Sequence, residues 1–403
     1  MTDDTRRARA TRFPIGACVT VEQLTDDPHP VLARLRASEP VSWVPALSGW
    51  LVTRHDLVSE LVRDHRAYTV DDPRFSTAQV VGPSMLSLDG AEHARHRAPF
   101  ARAFQPAAVR SGYTELVEAE ARRLVAVLRN SRPAEIRAGL AGPLAVTTLA
   151  AALGLVAADP DTIMRWYAAI VGAVSAISVG EPPEPDAAEA VAELRAQVEV
   201  SLSAEHSSLL IEAARTPDGL DVSETVANAA VIMFGGIDTT EGMIANLVAH
   251  LLADNDALAA VRADQSWLPA AIEESLRLEP AAARVDRYTT QAVRLGEVDL
   301  PAGDLVIASL SGANRDPGVF PEPDRFRLDR SNRHLQLAFA RGPHVCPGMD
   351  LARLETHAAL TALLALPGLR LDRPTHPTGL VFRRPKEVFV TWDQTSGGGK
   401  LTP

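Results

Sequence analysis

The sequence contains few cysteines and no long apolar run. Cys18 and Cys346 are the only cysteines among its 403 residues, which excludes a disulfide framework and predicts a reducing, cytoplasmic location. The chain has no run of about 18 apolar residues, and its polar first residues include no apolar signal core. We therefore predict no membrane span and no membrane partner.

Lysine is also scarce, and acidic residues outnumber basic ones. The chain has 40 Lys and Arg residues against 51 Asp and Glu residues, a formal net charge of −11, and its only lysines are Lys386 and Lys400. Because an acidic protein repels the phosphate backbone, nucleic acid is a poor candidate partner. Hydrophobic residues make up 46% of the chain, which is enough for a large buried core.

Apolar spacing divides the chain into three unequal parts. Residues 1–20 are charged and unpatterned, and we predict a disordered tail. Residues 21–395 are predicted to form a single domain that is mainly α with a smaller β region (α+β), because helical periodicity gives way to short strands after about residue 280. Residues 396–403 are predicted to be a flexible tail. The connectors 69–88 and 178–186 lack helix signals and are predicted to gate a pocket.

A ten-residue stretch near the C-terminal end, Phe339-Ala-Arg-Gly-Pro-His-Val-Cys-Pro-Gly348, contains Cys346. Glycine and proline surround the cysteine, and an apolar run with helical spacing follows at 349–366. This order predicts a tight loop that presents a sulfur at the start of a helix, where the helix dipole and free N–H groups stabilise a thiolate. The alternative is a buried, inert cysteine beside a helix cap.

A polar patch interrupts the apolar helix predicted for residues 226–252. Its sequence is Gly235-Gly-Ile-Asp-Thr-Thr-Glu241. Polar side chains in a buried helix cost free energy unless they are hydrogen-bonded, and each interior glycine costs roughly 1 kcal/mol relative to alanine. The patch therefore predicts a functional site, in which glycine lets a ligand approach the backbone, Thr239 bonds a preceding carbonyl, and Asp238 carries protons.

In each of two further residue pairs, both side chains lie on one face of a predicted helix. Glu274 and Arg277 are three residues apart and are placed to pair, although a surface ion pair is the plainer alternative. His93 and Arg97 are four residues apart, so one face offers two donors to a single anion. Solvated basic residues are the alternative for the second pair.

In their order along residues 27–393, these motifs resemble those of the cytochrome P450 family, in its soluble bacterial class. The cysteine stretch is similar to the family's haem loop, Phe-Gly-x-Gly-x-His-x-Cys-x-Gly, and departs from it at Ala340. The polar patch is similar to the family's Ala/Gly-Gly-x-Asp/Glu-Thr-Thr motif. Glu274-Ser-Leu-Arg277 matches the family's Glu-x-x-Arg, which implies a structural pair with a third arginine, Arg325 or Arg327, of which Arg325 fits the pattern better.

The resemblance implies the cytochrome P450 fold, with haem b between a long central helix and the cysteine-bearing loop. It implies that Cys346 is the axial thiolate ligand of the iron and that Asp238 and Thr239 deliver protons during oxygen activation. The residues implied to bind haem are His93, Arg97, Arg287, Phe339, His344, Cys346 and Gly348. The residues implied to line the substrate pocket are Met85, Val231, Gly235, Ala283, Val285 and Leu380.

The implied function is a monooxygenase that uses O2 and two electrons to hydroxylate or epoxidise a small organic molecule in natural-product biosynthesis. No flavin or iron–sulfur motif is present, so NAD(P)H would act only through a ferredoxin and a ferredoxin reductase. Five residues, Arg95, His96, Arg102, Arg341 and Arg353, are candidates for a basic docking face that attracts an acidic ferredoxin, and scattered solvated arginines are the alternative. Alternatives are oxidative coupling or peroxide-driven oxidation without oxygen insertion, which the Asp238–Thr239 pair disfavours, and a haem-binding sensor or carrier.

Overall fold

The computed structural model describes residues 3–155, 158–178, 181–203, 208–215 and 219–393. In chain order the helices are α1 (Asp3–Arg12), α2 (Pro14–Ala17), α3 (Val21–Asp26), α4 (His29–Ser38), α5 (His55–Arg63), α6 (Ser76–Val81), α7 (Gly90–Ala101), α8 (Pro106–Leu128), α9 (Gly142–Leu153), α10 (Pro160–Ser178), α11 (Asp186–Leu202), α12 (Leu209–Arg215), α13 (Val222–Gly236), α14 (Asp238–Ala253), α15 (Asn255–Ala263), α16 (Leu268–Leu278), α17 (Leu310–Ala313) and α18 (Met349–Leu364). The strands are β1 (Val41–Val44), β2 (Gly49–Val52), β3 (Tyr68–Thr69), β4 (Ala134–Glu135), β5 (Arg284–Thr289), β6 (Val293–Leu295), β7 (Val298–Leu300), β8 (Leu305–Ser309), β9 (Arg370–Leu371), β10 (Pro377–Thr378), β11 (Arg384–Pro385) and β12 (Phe389–Thr391). The predicted mainly α fold with a smaller β region is confirmed.

The largest sheet has the strand order β1-β2-β8-β5-β3. β1 and β2 form an antiparallel hairpin, with Val41 opposite Val52. β2 and β8 are parallel, and β5 runs antiparallel to β8. Because side chains alternate along a strand, Val285 and Arg287 of β5 point to one face of the sheet while Arg284 points to the other.

Two apolar cores hold the helical part together. In the first core α14 packs with α16 and α18, and α18 packs with α8; in the second core α13 packs with α10 and α11. α13 and α14 follow each other with a break at Ile237, directly after the paired glycines. The predicted long central helix is therefore two helices, because Gly235 and Gly236 weaken the helical ladder where they meet.

The predicted disorder of residues 1–20 is wrong for the part of this segment that the structure describes. α1 and α2 lie in it, and Phe13 is only 5% exposed, with its ring centroid 5.2 Å from that of Trp50. The Arg9 guanidinium lies over Trp43 and donates to Asp304 at 2.7 Å. Charge alone suggested disorder, but one buried ring and one stacked arginine anchor the segment.

The other predicted boundaries have mixed outcomes. Residues 396–403 lie outside the described residues, and the single domain at 21–395 stays a prediction. Connector 69–88 contains a short helix, α6, which was not predicted. Its buried residues are Thr77 and Val81. In the second connector, residues 179–180 lie outside the described part of the chain.

The Glu274–Arg277 pair is buried rather than on the surface. Both side chains are 0% exposed and are joined by two hydrogen bonds of 2.9 Å. The third arginine is Arg330, whose Nε lies 2.9 and 3.0 Å from the two Glu274 oxygens, so the prediction of Arg325 or Arg327 is wrong. The side chains of Arg325 and Arg327 turn outward to Glu322 instead. Arg325 contributes its carbonyl, and Arg327 its N–H, to the buried cluster.

Candidate active site

The cysteine loop places a sulfur at the start of α18, as the sequence predicted. The Cys346 N–H donates to the Phe339 carbonyl at 3.0 Å, and the Val345 N–H donates to the Gly342 carbonyl at 3.1 Å, so the loop is closed by its own backbone. Burial raises the pKa of the Cys346 thiol, while the Gly348 N–H and the Arg97 charge act to lower that pKa. A metal that binds this sulfur would remove the proton and supply the missing positive charge.

Two positions of the loop have left-handed backbone. Gly342 has φ = 76°, and a Cβ at this position would lie 2.7 Å from the Val62 carbonyl oxygen, so only glycine fits against α5. Ala340, the one departure from the family motif, has φ = 55°. An L-residue with a side chain is strained in this conformation by about 1–2 kcal/mol.

We expect Ala340→Gly to stabilise the loop. Removing the Cβ relieves the left-handed strain, and after the extra freedom of glycine in the unfolded chain is subtracted, the gain should be about 0.5–1 kcal/mol. Thermal denaturation followed at the haem absorbance measures it. Gly342→Ala is the matched opposite change and should lower the midpoint, because its Cβ meets backbone atoms. An unchanged or lower midpoint for Ala340→Gly would contradict the strain at Ala340.

Basic groups with little solvent exposure surround the cysteine loop. Arg97 of α7 donates to the Val345 carbonyl at 2.6 Å, and Arg287 of β5 donates to the Asp286 carbonyl at 2.7 Å; neither has a carboxylate hydrogen-bond partner among the described residues. Burial lowers the pKa of Arg287 to about 10 and also lowers the pKa of Arg97. One buried cation, Arg287, and one half-buried cation, Arg97, have no acid beside them, which favours negative charge from a ligand.

Two histidines complete this group. The rings of His93 and His344 lie with centroids 4.3 Å apart. Burial lowers the pKa of His93 to about 4, and its Nε2 is buried with no hydrogen-bond partner in the described structure. His344 is already paired, since its Nε2 lies 2.8 Å from Asp89. Burial opposes ionisation of Asp89, but hydrogen bonds from His344, Thr69 and the Val70 N–H outweigh it and lower the pKa of Asp89 to about 2.

These residues fit a haem group with two propionates. The unpaired guanidinium groups of Arg97 and Arg287 and the orphaned Nε2 of His93 offer donors for two carboxylates, and Cys346 offers a sulfur ligand beside them. His344 and Phe339 shape the loop; the Arg353 guanidinium lies 4.8 Å from the Phe339 ring centroid. The predicted haem-binding residues on α7, β5 and the loop therefore suit the same ligand.

We expect Arg287→Leu to weaken haem retention. The variant removes a buried cation that carboxylates would neutralise, so the haem-to-protein ratio should fall and transfer of haem to an acceptor globin should accelerate by about tenfold or more. Arg284→Leu is the matched control, because Arg284 lies on the same strand but points to the opposite face of the sheet. Equal haem loss in both variants would contradict the assignment of Arg287.

The predicted catalytic pair lies at the break between α13 and α14. Gly235 is exposed although it lies in an otherwise buried helix, and the Thr239 hydroxyl donates to its carbonyl. Asp238 is 7% exposed, and its Oδ2 lies 2.5 Å from a guanidinium nitrogen of Arg384 on β11. An exposed glycine beside an alcohol and an ion-paired acid leaves room for a small ligand next to proton-carrying groups.

Sequence reasoning missed the charged cluster around Asp238. Arg384 also lies 3.8 Å from Glu241, and Glu241 is bonded to Arg137 at 2.5 Å. Burial raises the pKa of Glu241, although Arg137 and Arg384 oppose this effect. Arg384 and Arg137 are 23% and 21% exposed, so the cluster connects Asp238 with the solvent. The only sequence signal was Glu241, one turn after Asp238.

The six predicted pocket residues fall into separate groups. Met85 and Val231 are buried in one apolar core. Ala283 and Leu380 line a different, small cavity of about 20 Å³. Val285 packs on the face of the sheet opposite to that of Arg284, which lines the small cavity. Gly235 lies at the break between α13 and α14. These positions do not by themselves define one enclosed pocket.

Three members of the predicted basic docking face are already engaged. Arg95 is paired with Glu92 and Glu224, and His96 is only 1% exposed. Arg353 donates to Glu273 at 2.6 Å. These three residues therefore present little free charge, and the docking face stays a prediction. Arg341 and Arg102 keep no carboxylate partner among the described residues.

The site combines a sulfur at a helix start, two guanidinium groups without a carboxylate partner in the described structure, and a broken helix that carries an acid and an alcohol. Together these features define a haem-thiolate protein. Comparison with known proteins agrees. The family model described as Cytochrome P450 matches residues 192–366. Nocardicin C N-oxygenase of Nocardia uniformis subsp. tsuyamanensis is 35% identical over 96% of this chain and 100% of its own length. Cytochrome P450 monooxygenase PikC of Streptomyces venezuelae is 33% identical over 93% of this chain and 94% of its own.

A solved structure extends the likeness to the whole fold. The crystal structure of a post-tailoring hydroxylase, HmtN, involved in himastatin biosynthesis, matches with a TM-score of 0.80 and 26% identity over 93% of this chain and 100% of that one. The chain belongs to the cytochrome P450 family, with haem b as its cofactor, and is an oxygen-incorporating oxidoreductase. Among the described residues no single helix is long and apolar enough to cross a membrane, and one bent pair, Val222–Ala253 with Asn255–Ala263, meets those limits only together.

Proposed function

We propose that this P450 hydroxylates or epoxidises a small organic molecule in natural-product biosynthesis. The observation that carries the proposal is the Asp238–Thr239 pair at the helix break beside exposed Gly235. An acid and an alcohol at this place suit delivery of protons during oxygen activation, which peroxide-driven oxidation or a haem carrier does not need. Relatives that bear the names N-oxygenase and monooxygenase support the same reaction class.

The chain's own residues would divide the work as follows. Bound haem supplies the chemistry that splits molecular oxygen and transfers one oxygen atom. Cys346 would hold it by sulfur, while Arg97 and Arg287, with His93, would hold its carboxylates. Thr239 keeps its hydroxyl oriented by donating to the Gly235 carbonyl. Asp238 would receive protons from the solvent side, where Arg384 and Glu241 lie, and pass them towards Thr239.

Electrons are proposed to come from NAD(P)H through a ferredoxin and its reductase. A groove of about 830 Å³ lies beside the cysteine loop and is lined in part by Arg63, Arg66 and Arg341. The Gly342 backbone packs against Val62 and Arg63, so this groove is next to the sulfur ligand. Asp56, Glu60 and Asp64 line the same groove, so its charge is mixed rather than basic, and it supports a docking place but not the charge of the partner. A cytoplasmic location stays a prediction.

Reconstitution tests the proposal. The haem-loaded enzyme is combined with ferredoxin, ferredoxin reductase and NADPH, and small natural products that shift the ferric spectrum are tried as substrates. We expect NADPH consumption that depends on substrate and a product heavier by one oxygen atom, labelled when ¹⁸O₂ is supplied. Product formed only with hydrogen peroxide, or coupled product without added oxygen, would favour the alternative reaction. Ligand-induced spectral shifts without any turnover would favour a sensor or carrier.

A further inference from the structure

A buried asparagine with no role in the site described above connects three parts of the fold. Asn228 lies on α13 and is 0% exposed. Its Oδ1 accepts the Met85 N–H at 2.9 Å. Its Nδ2 donates to the Glu224 carbonyl at 2.7 Å and to Nδ1 of His96 at 2.9 Å. The amide oxygen and both amide hydrogens are therefore engaged, which fixes the orientation of the group.

The segment held by this amide is the turn between α6 and α7. Ser84 and Ser87 close the turn on themselves, through a Ser87 N–H to Ser84 carbonyl bond of 3.0 Å and a Ser84 N–H to Ser87 Oγ bond of 3.1 Å. The Met85 N–H takes no part in that closure, and among the described residues its hydrogen-bond partner is Asn228 alone. One bond therefore ties the turn to α13.

His96 joins the same amide to α7. It is 1% exposed and directly precedes Arg97, a residue predicted to bind a haem propionate. Burial lowers the pKa of His96, so Nδ1 is free to accept from Asn228. On the outer side, Arg95 donates to Glu224 at 3.0 Å, and Glu224 forms the capping box of α13. α7 and α13 are thus clamped on both sides of the asparagine.

The position of Asn228 on its helix relates it to the predicted pocket. Val231 and Gly235 follow it by three and seven residues, so the three side-chain positions lie on one face of α13. The Met85 side chain is 5% exposed and lies in the same apolar core as Val231. A shift of the turn would therefore move Met85 relative to the face that carries Val231 and Gly235.

We propose that Asn228 is a positioning residue for substrate selectivity, which holds the Met85 turn against α7 and α13 and so sets the wall of the pocket. The inference rests on the proposed function, because it takes Met85, Val231 and Gly235 as the substrate-pocket residues that the family resemblance implies. It adds a residue that touches neither haem nor substrate and acts through Met85.

Hydrogen exchange of the haem-loaded enzyme tests the contact directly. In Asn228→Leu, amide exchange in peptides that cover residues 82–88 should accelerate by about tenfold, because the Met85 N–H loses its acceptor. Asn246→Leu is the matched control: Asn246 is also 0% exposed, on α14, and donates to the Glu279 and Arg383 carbonyls at 3.1 Å. Exchange at 82–88 should not change in this variant.

Spectral titration with two azoles tests selectivity. Imidazole needs little room, whereas 4-phenylimidazole must fit the pocket wall. We expect Asn228→Leu to change the Kd of 4-phenylimidazole by about tenfold and that of imidazole by less than about twofold. If Asn228→Leu does not fold, Asn228→Ser serves in both measurements.

The outcomes separate the two proposals. Unchanged exchange at 82–88 in Asn228→Leu would overturn the positioning role, and so would faster exchange with an unchanged ratio of the two azole affinities. Failure of the wild-type protein to bind either azole at its iron would instead count against the proposed function. In that case the exchange measurement would still show whether Asn228 holds the Met85 N–H.

Discussion

Cys346→Ser is expected to abolish monooxygenase activity while leaving the fold intact. The change replaces one buried sulfur by oxygen and keeps the backbone bond from residue 346 to the Phe339 carbonyl, so the loop should still close. An alcohol is a far weaker donor than a thiolate, and the electron donation that favours O–O cleavage is lost with the sulfur. Product formation should fall to the detection limit, and the absorbance of the reduced, CO-bound protein should lose its thiolate form.

The chain offers a matched control for this experiment. Cys18 is the only other cysteine, and it is exposed near the N-terminal end. Cys18→Ser should keep both the thiolate spectrum and full activity. Haem content, measured separately, distinguishes a lost ligand from lost haem. A thiolate spectrum in Cys346→Ser, or its loss in Cys18→Ser, would show that the wrong cysteine has been assigned.

The cysteine loop could be predicted from sequence because its geometry is local. Ten consecutive residues determine the turn, the sulfur and the helix that follows. Even the departure at Ala340 is informative, since the structure has left-handed backbone at the position where the family motif has glycine. The mainly α fold could be predicted for the same reason, because helical periodicity is a property of short windows.

Pairings between distant residues could not be predicted in this way. Arg325, Arg327 and Arg330 lie within six positions in a segment without periodicity, so chemistry alone does not choose the one that reaches Glu274. The partner of Asp238 is 146 residues away in sequence, on β11. Pairing at this distance depends on how the C-terminal strands return to the central helices, which no local pattern encodes.

The order of the N-terminal segment could not be predicted for a different reason. Arg9 lies among charged residues and Phe13 directly follows them, and both side chains contact the tryptophans of the β1–β2 hairpin. A segment that folds only against a partner has no periodic signal of its own. Composition therefore suggests disorder for a segment that is anchored by a few contacts with distant residues.

Asp238→Asn is expected to reduce product formation by about a hundredfold. General acid catalysis by a positioned side chain typically contributes 10²–10⁴-fold, and an amide cannot carry the proton. The variant is isosteric and still accepts a hydrogen bond from Arg384, so the helix break should be preserved. NADPH consumption should continue in part without product, and the solvent deuterium isotope effect on turnover should increase because proton delivery becomes slower.

Arg384 provides the means to separate proton transfer from packing. Arg384→Lys keeps a cation beside Asp238 and should retain most of the activity, whereas Arg384→Gln leaves a buried carboxylate without its counter-ion and should lower coupling. Thr240→Ala is the neighbouring control: Thr240 is 4% exposed and buried away from the open side where Thr239 lies, so its loss should affect thermal stability more than coupling. Full NADPH-coupled product formation in Asp238→Asn would exclude the acid from the relay, since the protons would then reach the site by a route that does not include its carboxylate.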